Sequence, residues 1–269
     1  MSTGAIITQK KIFSIFVEIF LLMCHSGLMK KLLLCLLLGA CAGANWNPST
    51  DFQYVPVETQ VYTIATWQKI NNPKNNRIHI YVEGDGNSFD AYGTPTNDPT
   101  PRGRFMRDLA AADEFDNVVY IARPCQYIMN EFCEKSDWTD GRFSKEVIDA
   151  ESDVINQIAQ KKRITLIGYS GGGFVTGAVI KQNPKLRVEK WITIAGVLNH
   201  KTWTEYFGDE PLSKSIDLGE LPNVPQKHFV GERDTVVPYE LAKTWAKGDD
   251  IVLVPRAKHD NFGNLKIFD

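Results

Sequence analysis

From residue 57 onward, short apolar runs alternate with stretches in which apolar positions recur every three or four residues. The runs at 57–70, 77–82, 117–122, 164–167, 190–194, 228–230 and 251–254 predict strands. The stretches at 101–112, 144–161, 173–182 and 238–247 predict helices between them. In the second helix Val147, Ala150, Val154, Ile155 and Ile158 share one face behind Ser144, which suits an N-cap. Thr100 likewise suits an N-cap ahead of Pro101 at the first helical position. Continuous apolar strands alternating with amphipathic helices predict an α/β domain, a mostly parallel central sheet with helices on both faces. No internal repeat or low-complexity segment interrupts the pattern.

The N-terminal stretch follows another rule. Lys30-Lys31, the apolar run at 32–38 and Gly39-Ala40-Cys41 make a charged region, a short hydrophobic region and a small-residue cleavage site, the order of a secretory signal. Leu38-Gly39-Ala40-Cys41 resembles the lipobox of bacterial lipoproteins, which implies cleavage before Cys41 and lipid on its thiol. Ala42 follows in place of the aspartate that retains many lipoproteins in the inner membrane, which favours the outer membrane, facing the periplasm. The apolar runs at 12–23 and 32–40 both fall short of the ~20 residues that a spanning helix needs. Residues 29–40 are therefore read as the signal and 1–28 as an over-extended start. Residues 41–56 are read as a small, polar tether and 57–269 as one catalytic domain.

With 30 basic and 32 acidic residues the chain has no basic footprint, and nucleic acid is excluded as a partner. Loss of residues 1–40 would remove Lys10, Lys11, Lys30 and Lys31 against Glu18 alone, making the remainder more acidic. Besides Cys41 it would keep Cys125 and Cys133, an even pair in an oxidising compartment. A disulfide is expected, with two buried thiols as the alternative. The cysteines have no histidine at ligand spacing, so no metal is called for.

Gly168-Tyr169-Ser170-Gly171-Gly172 lies between the predicted strand at 164–167 and the predicted helix at 173–182. In a nucleophile elbow the serine sits on a sharp strand-to-helix turn, with glycines where side chains would meet the neighbouring strand and helix. A serine hydroxyl needs a base, and the base needs a partner that fixes its tautomer. On this architecture the chain order is Ser, then Asp or Glu, then His. His25 and His79 precede the serine, and His79 suits a packed strand position; His228 opens a strand and suits packing on the sheet. His259 follows the last strand by a short loop and is the candidate base, while His200 is a candidate for contacting substrate. Asp234, in the loop Gly231-Glu232-Arg233-Asp234 before Pro238, is the candidate acid over Glu232 and Asp260, with Arg233 beside it to stabilise its charge. Gly171 and the loop Glu83-Gly84-Asp85-Gly86 supply candidate oxyanion N–H donors, chiefly that of Asp85. An Asp85 carboxylate near an oxyanion would oppose catalysis, so it must point away or be paired.

These motifs, with Asp98-Pro99-Thr100-Pro101-Arg102 and Ala122-Arg123-Pro124-Cys125-Gln126-Tyr127, resemble the α/β-hydrolases, and more closely the small exported bacterial α/β-hydrolase lipoproteins. The resemblance runs from about Thr59 to Asn261. It implies the α/β-hydrolase fold without a large cap domain, Ser170 as nucleophile, Asp234 as acid and His259 as base, with no cofactor. Glu83-Gly84 departs from the His-Gly of many relatives, and the tail after His259 is short for the usual final helix. The expected activity is hydrolysis of a carboxylic ester or related acyl bond on a small-molecule or lipid-like substrate. A peptidase or amidase with the same triad is one alternative, and a catalytically silent envelope-binding lipoprotein is another. The pocket is expected between the loops at 84–101 and 124–141, with Trp138, Trp203 or Tyr206 as wall residues.

Overall fold

A computed structural model describes residues 51–268; Cys41, the signal and most of the tether lie outside the described residues. Eight strands form one sheet in the order β1-β2-β4-β3-β5-β6-β7-β8. They are β1 (Gln53–Glu58), β2 (Thr63–Ile70), β3 (Arg77–Val82), β4 (Asn117–Ile121), β5 (Arg163–Tyr169), β6 (Val188–Ile194), β7 (Gln226–Gly231) and β8 (Ile251–Val254). From β4 through β8 every pairing is parallel, and β1 and β2 add an antiparallel edge. Helices α1 (Phe105–Ala112), α2 (Lys145–Ala159), α3 (Gly171–Gln182), α4 (His200–Phe207) and α5 (Tyr239–Trp245) cover both faces. Among the described residues no helix is long and apolar enough to cross a membrane.

The sequence pattern explains the core. All five residues of β4 are buried, as a strand covered on both faces requires, and Ile80, Val82, Leu166 and Ile192 are fully enclosed beside it. Ser144 caps α2 by accepting from the Val147 N–H, and the apolar face foreseen for that helix points inward through Val147, Val154 and Ile155. The parallel strands end together at Val82, Ile121, Tyr169, Ile194, Gly231 and Val254, so the loops that leave them gather along one sheet edge.

Three expectations change. The single strand at 57–70 is a hairpin, turned by Thr59, whose N–H and Oγ1 both donate to the Tyr62 carbonyl. Its first strand takes in Gln53 to Pro56 from the segment read as tether, and Pro56 is tolerated because β1 is an edge. The first helix begins at Phe105 rather than Pro101, since Thr100 Oγ1 accepts from the Tyr127 N–H instead of capping, and Arg104 stands at the N-cap. Helix α4 was not foreseen, although Asn199 caps it through the Thr202 N–H and Gly208 closes it at φ 71°.

Candidate active site

Ser170 ends β5 and opens α3 with φ 50° and ψ −124°, a left-handed backbone that only a tightly held turn supports. Its N–H donates to the Ile194 carbonyl and its own carbonyl accepts from Val197, which pins the turn to the end of β6. The flanking glycines are sterically dictated. A β-carbon on Gly168 would stand 2.3 Å from the Gly172 carbonyl oxygen, and one on Gly172 would stand 2.4 Å from that of Glu83.

His259 and Asp234 reach this turn from the loops after β8 and β7. His259 Nε2 lies 3.0 Å from Ser170 Oγ, and His259 Nδ1 lies 3.0 Å from Asp234 Oδ2. With the Nδ1 proton directed at Asp234, Nε2 is left to accept from the serine hydroxyl. Asp234 Oδ1 accepts from the N–H groups of Val236 and Val237 at 2.8 and 2.9 Å. These backbone donors hold the carboxylate, not Arg233, which is exposed and forms no ion pair with Asp234 among the described residues. Glu232, the alternative acid, instead ties the two loops together. Its Oε2 accepts from the Arg256 N–H at 2.7 Å, while the Arg233 N–H donates to the Ala257 carbonyl at 2.8 Å.

Facing the serine is the loop after β3. Gly84 lies so close that a β-carbon there would stand 3.0 Å from Ser170 Cβ. Glu83, buried behind it, accepts from the Tyr120 hydroxyl at 2.7 Å and the Gly84 N–H at 3.0 Å. Burial pushes its carboxyl up, and those two bonds oppose the rise. The backbone N–H groups of Asp85 and Gly171 have no protein acceptor among the described residues, leaving both donors open beside the serine. The Asp85 carboxylate is paired, as its position demands: Oδ1 lies 3.3 Å from Arg123 Nη1 and Oδ2 lies 3.2 Å from Arg142 Nε. Arg123 in turn meets the fully buried Glu151 at 3.4 Å and donates from Nη2 to the Arg142 carbonyl. This charged network behind the loop had no sequence signal of its own, since its members are scattered over three segments of the chain.

Other expected residues lie elsewhere. His200, expected to contact substrate, is instead buried between Phe143 and Phe174 with Nε2 2.7 Å from the Ile216 carbonyl. Burial holds its pKa below the ordinary histidine value. His79 is 2.7 Å from Asp113 and stacks on Phe115 and Phe268. His228 packs on the sheet against Trp191, with Thr193 Oγ1 at 2.9 Å. Trp138 is buried, with Nε1 donating to the Thr96 carbonyl; Trp203 Nε1 donates to the Val236 carbonyl beside the acid loop, and Tyr206 is exposed. Cys125 and Cys133 form a disulfide in the loop after β4. A cavity of about 410 Å³ lined by Tyr62, Phe132, Glu134 and Lys214, among others, includes none of Ser170, Asp234 or His259.

Comparison with known proteins places the fold. No protein-family model matches the chain, and no curated protein matches it in sequence. Solved structures do match. Est1E from Butyrivibrio proteoclasticus superposes with a TM-score of 0.53 at 13% identity, over 79% of this chain and 91% of that one. The Pyrococcus furiosus esterase Pf2001 gives 0.52 at 16% identity, over 80% and 88%. An alpha-beta serine hydrolase homologue from Coxiella burnetii gives 0.51 at 15% identity, over 77% and 89%. The chain thus has the α/β-hydrolase fold, and no large cap interrupts it: between β6 and β7 it carries only α4 and loops.

Proposed function

We propose that the protein is a serine hydrolase that cleaves a carboxylic ester or related acyl bond through an acyl-enzyme on Ser170. The observation that carries this reading is the chain of contacts Ser170 Oγ–His259 Nε2 and His259 Nδ1–Asp234 Oδ2, both at 3.0 Å, at the carboxyl edge of the sheet. Ser170 attacks the acyl carbon while His259 takes its proton; Asp234 holds the imidazole and stabilises the imidazolium that forms. The Asp85 and Gly171 N–H groups receive the developing oxyanion, and the α3 dipole adds to them. His259 then protonates the leaving alcohol, and water releases the acyl group by the reverse sequence. No step calls for a cofactor.

A fluorophosphonate probe tests this reading. It should label Ser170 alone, and Ser170→Ala should abolish both labelling and p-nitrophenyl ester turnover with the thermal midpoint unchanged. Undiminished labelling of the alanine variant would sink it.

We further propose that the enzyme is exported, lipid-anchored at Cys41 and held at the outer membrane facing the periplasm. The order of charge, apolar run and small residues from Lys30 to Cys41 supports this, and a Cys125–Cys133 bridge suits an oxidising compartment. Mass spectrometry of the membrane-fraction N-terminal peptide checks it, an unmodified Cys41 being the contrary result.

A further inference from the structure

Arg142 is the least satisfied cation at the site. Its side chain is only 8% exposed, yet among the described residues it donates no hydrogen bond to any protein atom. Nε faces Asp85 Oδ2 at 3.2 Å without the alignment of a hydrogen bond and is buried without a partner. The two Nη groups are not enclosed in the same way and reach no protein acceptor among the described residues, so four N–H bonds are left for an acceptor from outside the protein. A largely buried guanidinium whose outward N–H groups meet no protein acceptor is preorganised to receive an anionic oxygen from outside the protein.

What surrounds Arg142 defines that acceptor. Trp203 and Phe89 stand with their ring centroids 5.7 and 5.9 Å from the guanidinium carbon, and Phe89 is itself 41% exposed, so the walls are aromatic and open to a ligand. The Asp85 carboxylate is shared between Arg142 and Arg123. Arg142 therefore shares the carboxylate it faces with a second guanidinium. It lies a single carboxylate away from the elbow, since a β-carbon on Gly171 would touch Asp85 Oδ1.

Resting on the serine-hydrolase reading above, we propose that Arg142 is a substrate-binding residue whose Nη groups take an anionic oxygen group, carboxylate or phosphate, carried by the substrate close to the scissile acyl bond. A planar anion would receive two parallel N–H bonds there and lie between the two rings. A neutral substrate of the same length would leave those donors empty. If Arg142 served only to hold Asp85, its loss would weaken all substrates alike.

Paired substrates test the proposal. p-Nitrophenyl hemiglutarate against p-nitrophenyl valerate places the charge on the acyl side; 1-butyryl-glycerol-3-phosphate against monobutyrin places it on the alcohol side. The wild-type protein should prefer the charged member of one pair by at least ~10-fold in kcat/KM, and Arg142→Gln should lower that ratio by at least ~10-fold. The pair that responds assigns the side. Preference for the neutral member of both pairs, or equal loss on both members in Arg142→Gln, overturns the proposal. Should Arg142→Gln fail to fold, the wild-type ratios decide. A binding arm needs no turnover: with Ser170→Ala, monoethyl glutarate or glycerol-3-phosphate should raise the thermal midpoint, while ethyl valerate or glycerol at equal concentration and ionic strength should not. Equal shifts, or none, overturn the subsite. Failure of the wild-type protein to be labelled by a fluorophosphonate at Ser170 would instead count against the hydrolase reading alone.

Discussion

Asp85 and Gly171 meet so closely that a β-carbon on Gly171 would stand 1.9 Å from Asp85 Oδ1 and 2.6 Å from its Cγ. The carboxylate cannot swing clear, because Arg123 and Arg142 hold it from behind. Gly171→Ala should therefore push the loop after β3 away from the serine and lower kcat/KM by about 10²-fold, the scale of a 1 Å misplacement. Adding Asp85→Gly removes the obstacle. Ester kinetics of the four proteins should show the double variant losing less than the two single losses combined.

Asp234→Asn should keep the fold but reduce kcat by ~10³ to 10⁴, because an amide can orient His259 in the wrong tautomer. His259→Ala should lose at least ~10³-fold, whereas His200→Ala should leave kcat/KM within a few-fold, its ring lying in the core against Phe174. Steady-state kinetics on one p-nitrophenyl ester decides. Comparable collapse for both histidines would mean that His259 is not the base.

Stability should fall in mild acid through His228. Burial lowers its pKa from 6.5 to about 4 in the folded protein, so the unfolded chain binds the extra proton between those values. The contribution is complete above pH 6.5 and lost as pH falls through 4, amounting to ~3 kcal/mol. Urea melts across this range should show a smaller slope for His228→Gln than for the wild type.

Reduction of the Cys125–Cys133 bridge should lower the thermal midpoint. The bridged residues are 8 apart in sequence. The chain-entropy model gives so short a loop about 2.5 kcal/mol. Calorimetry with and without reductant measures it, and an unchanged midpoint is the contrary result.

The contact of Ser170, His259 and Asp234 was legible because each residue has a fixed place in chain order. Ser170 stands between glycines after an apolar run, and Asp234 and His259 each follow a later strand. The hairpin at Thr59 was not legible: Thr59-Gln60-Val61-Tyr62 holds none of the glycine, proline, asparagine or aspartate that usually marks a turn. Helix α4 could have been found, since Asn199 and Gly208 bracket it, but its short length gives little periodicity. Tertiary bonds overrode local preference at Thr100, which spends its hydroxyl on Tyr127. The Asp85–Arg123–Arg142–Glu151 network could not be read at all, because only the fold brings those charges together.

Ser170 and His259 hang from supports of unequal strength. Ser170 closes β5, which is paired on both sides, while His259 follows β8, four residues long, paired only with β7 and with Leu253 44% exposed. Edge elements with little buried surface open at lower free energy than the centre of a sheet. Warming should thus detach His259 before the fold gives way: if it is the proposed base, ester turnover should vanish reversibly several degrees below the midpoint seen by circular dichroism, with amides of β8 exchanging first. The bonds from Glu232 and Arg233 to Arg256 and Ala257 are what hold that gap small, and Glu232→Ala should widen it.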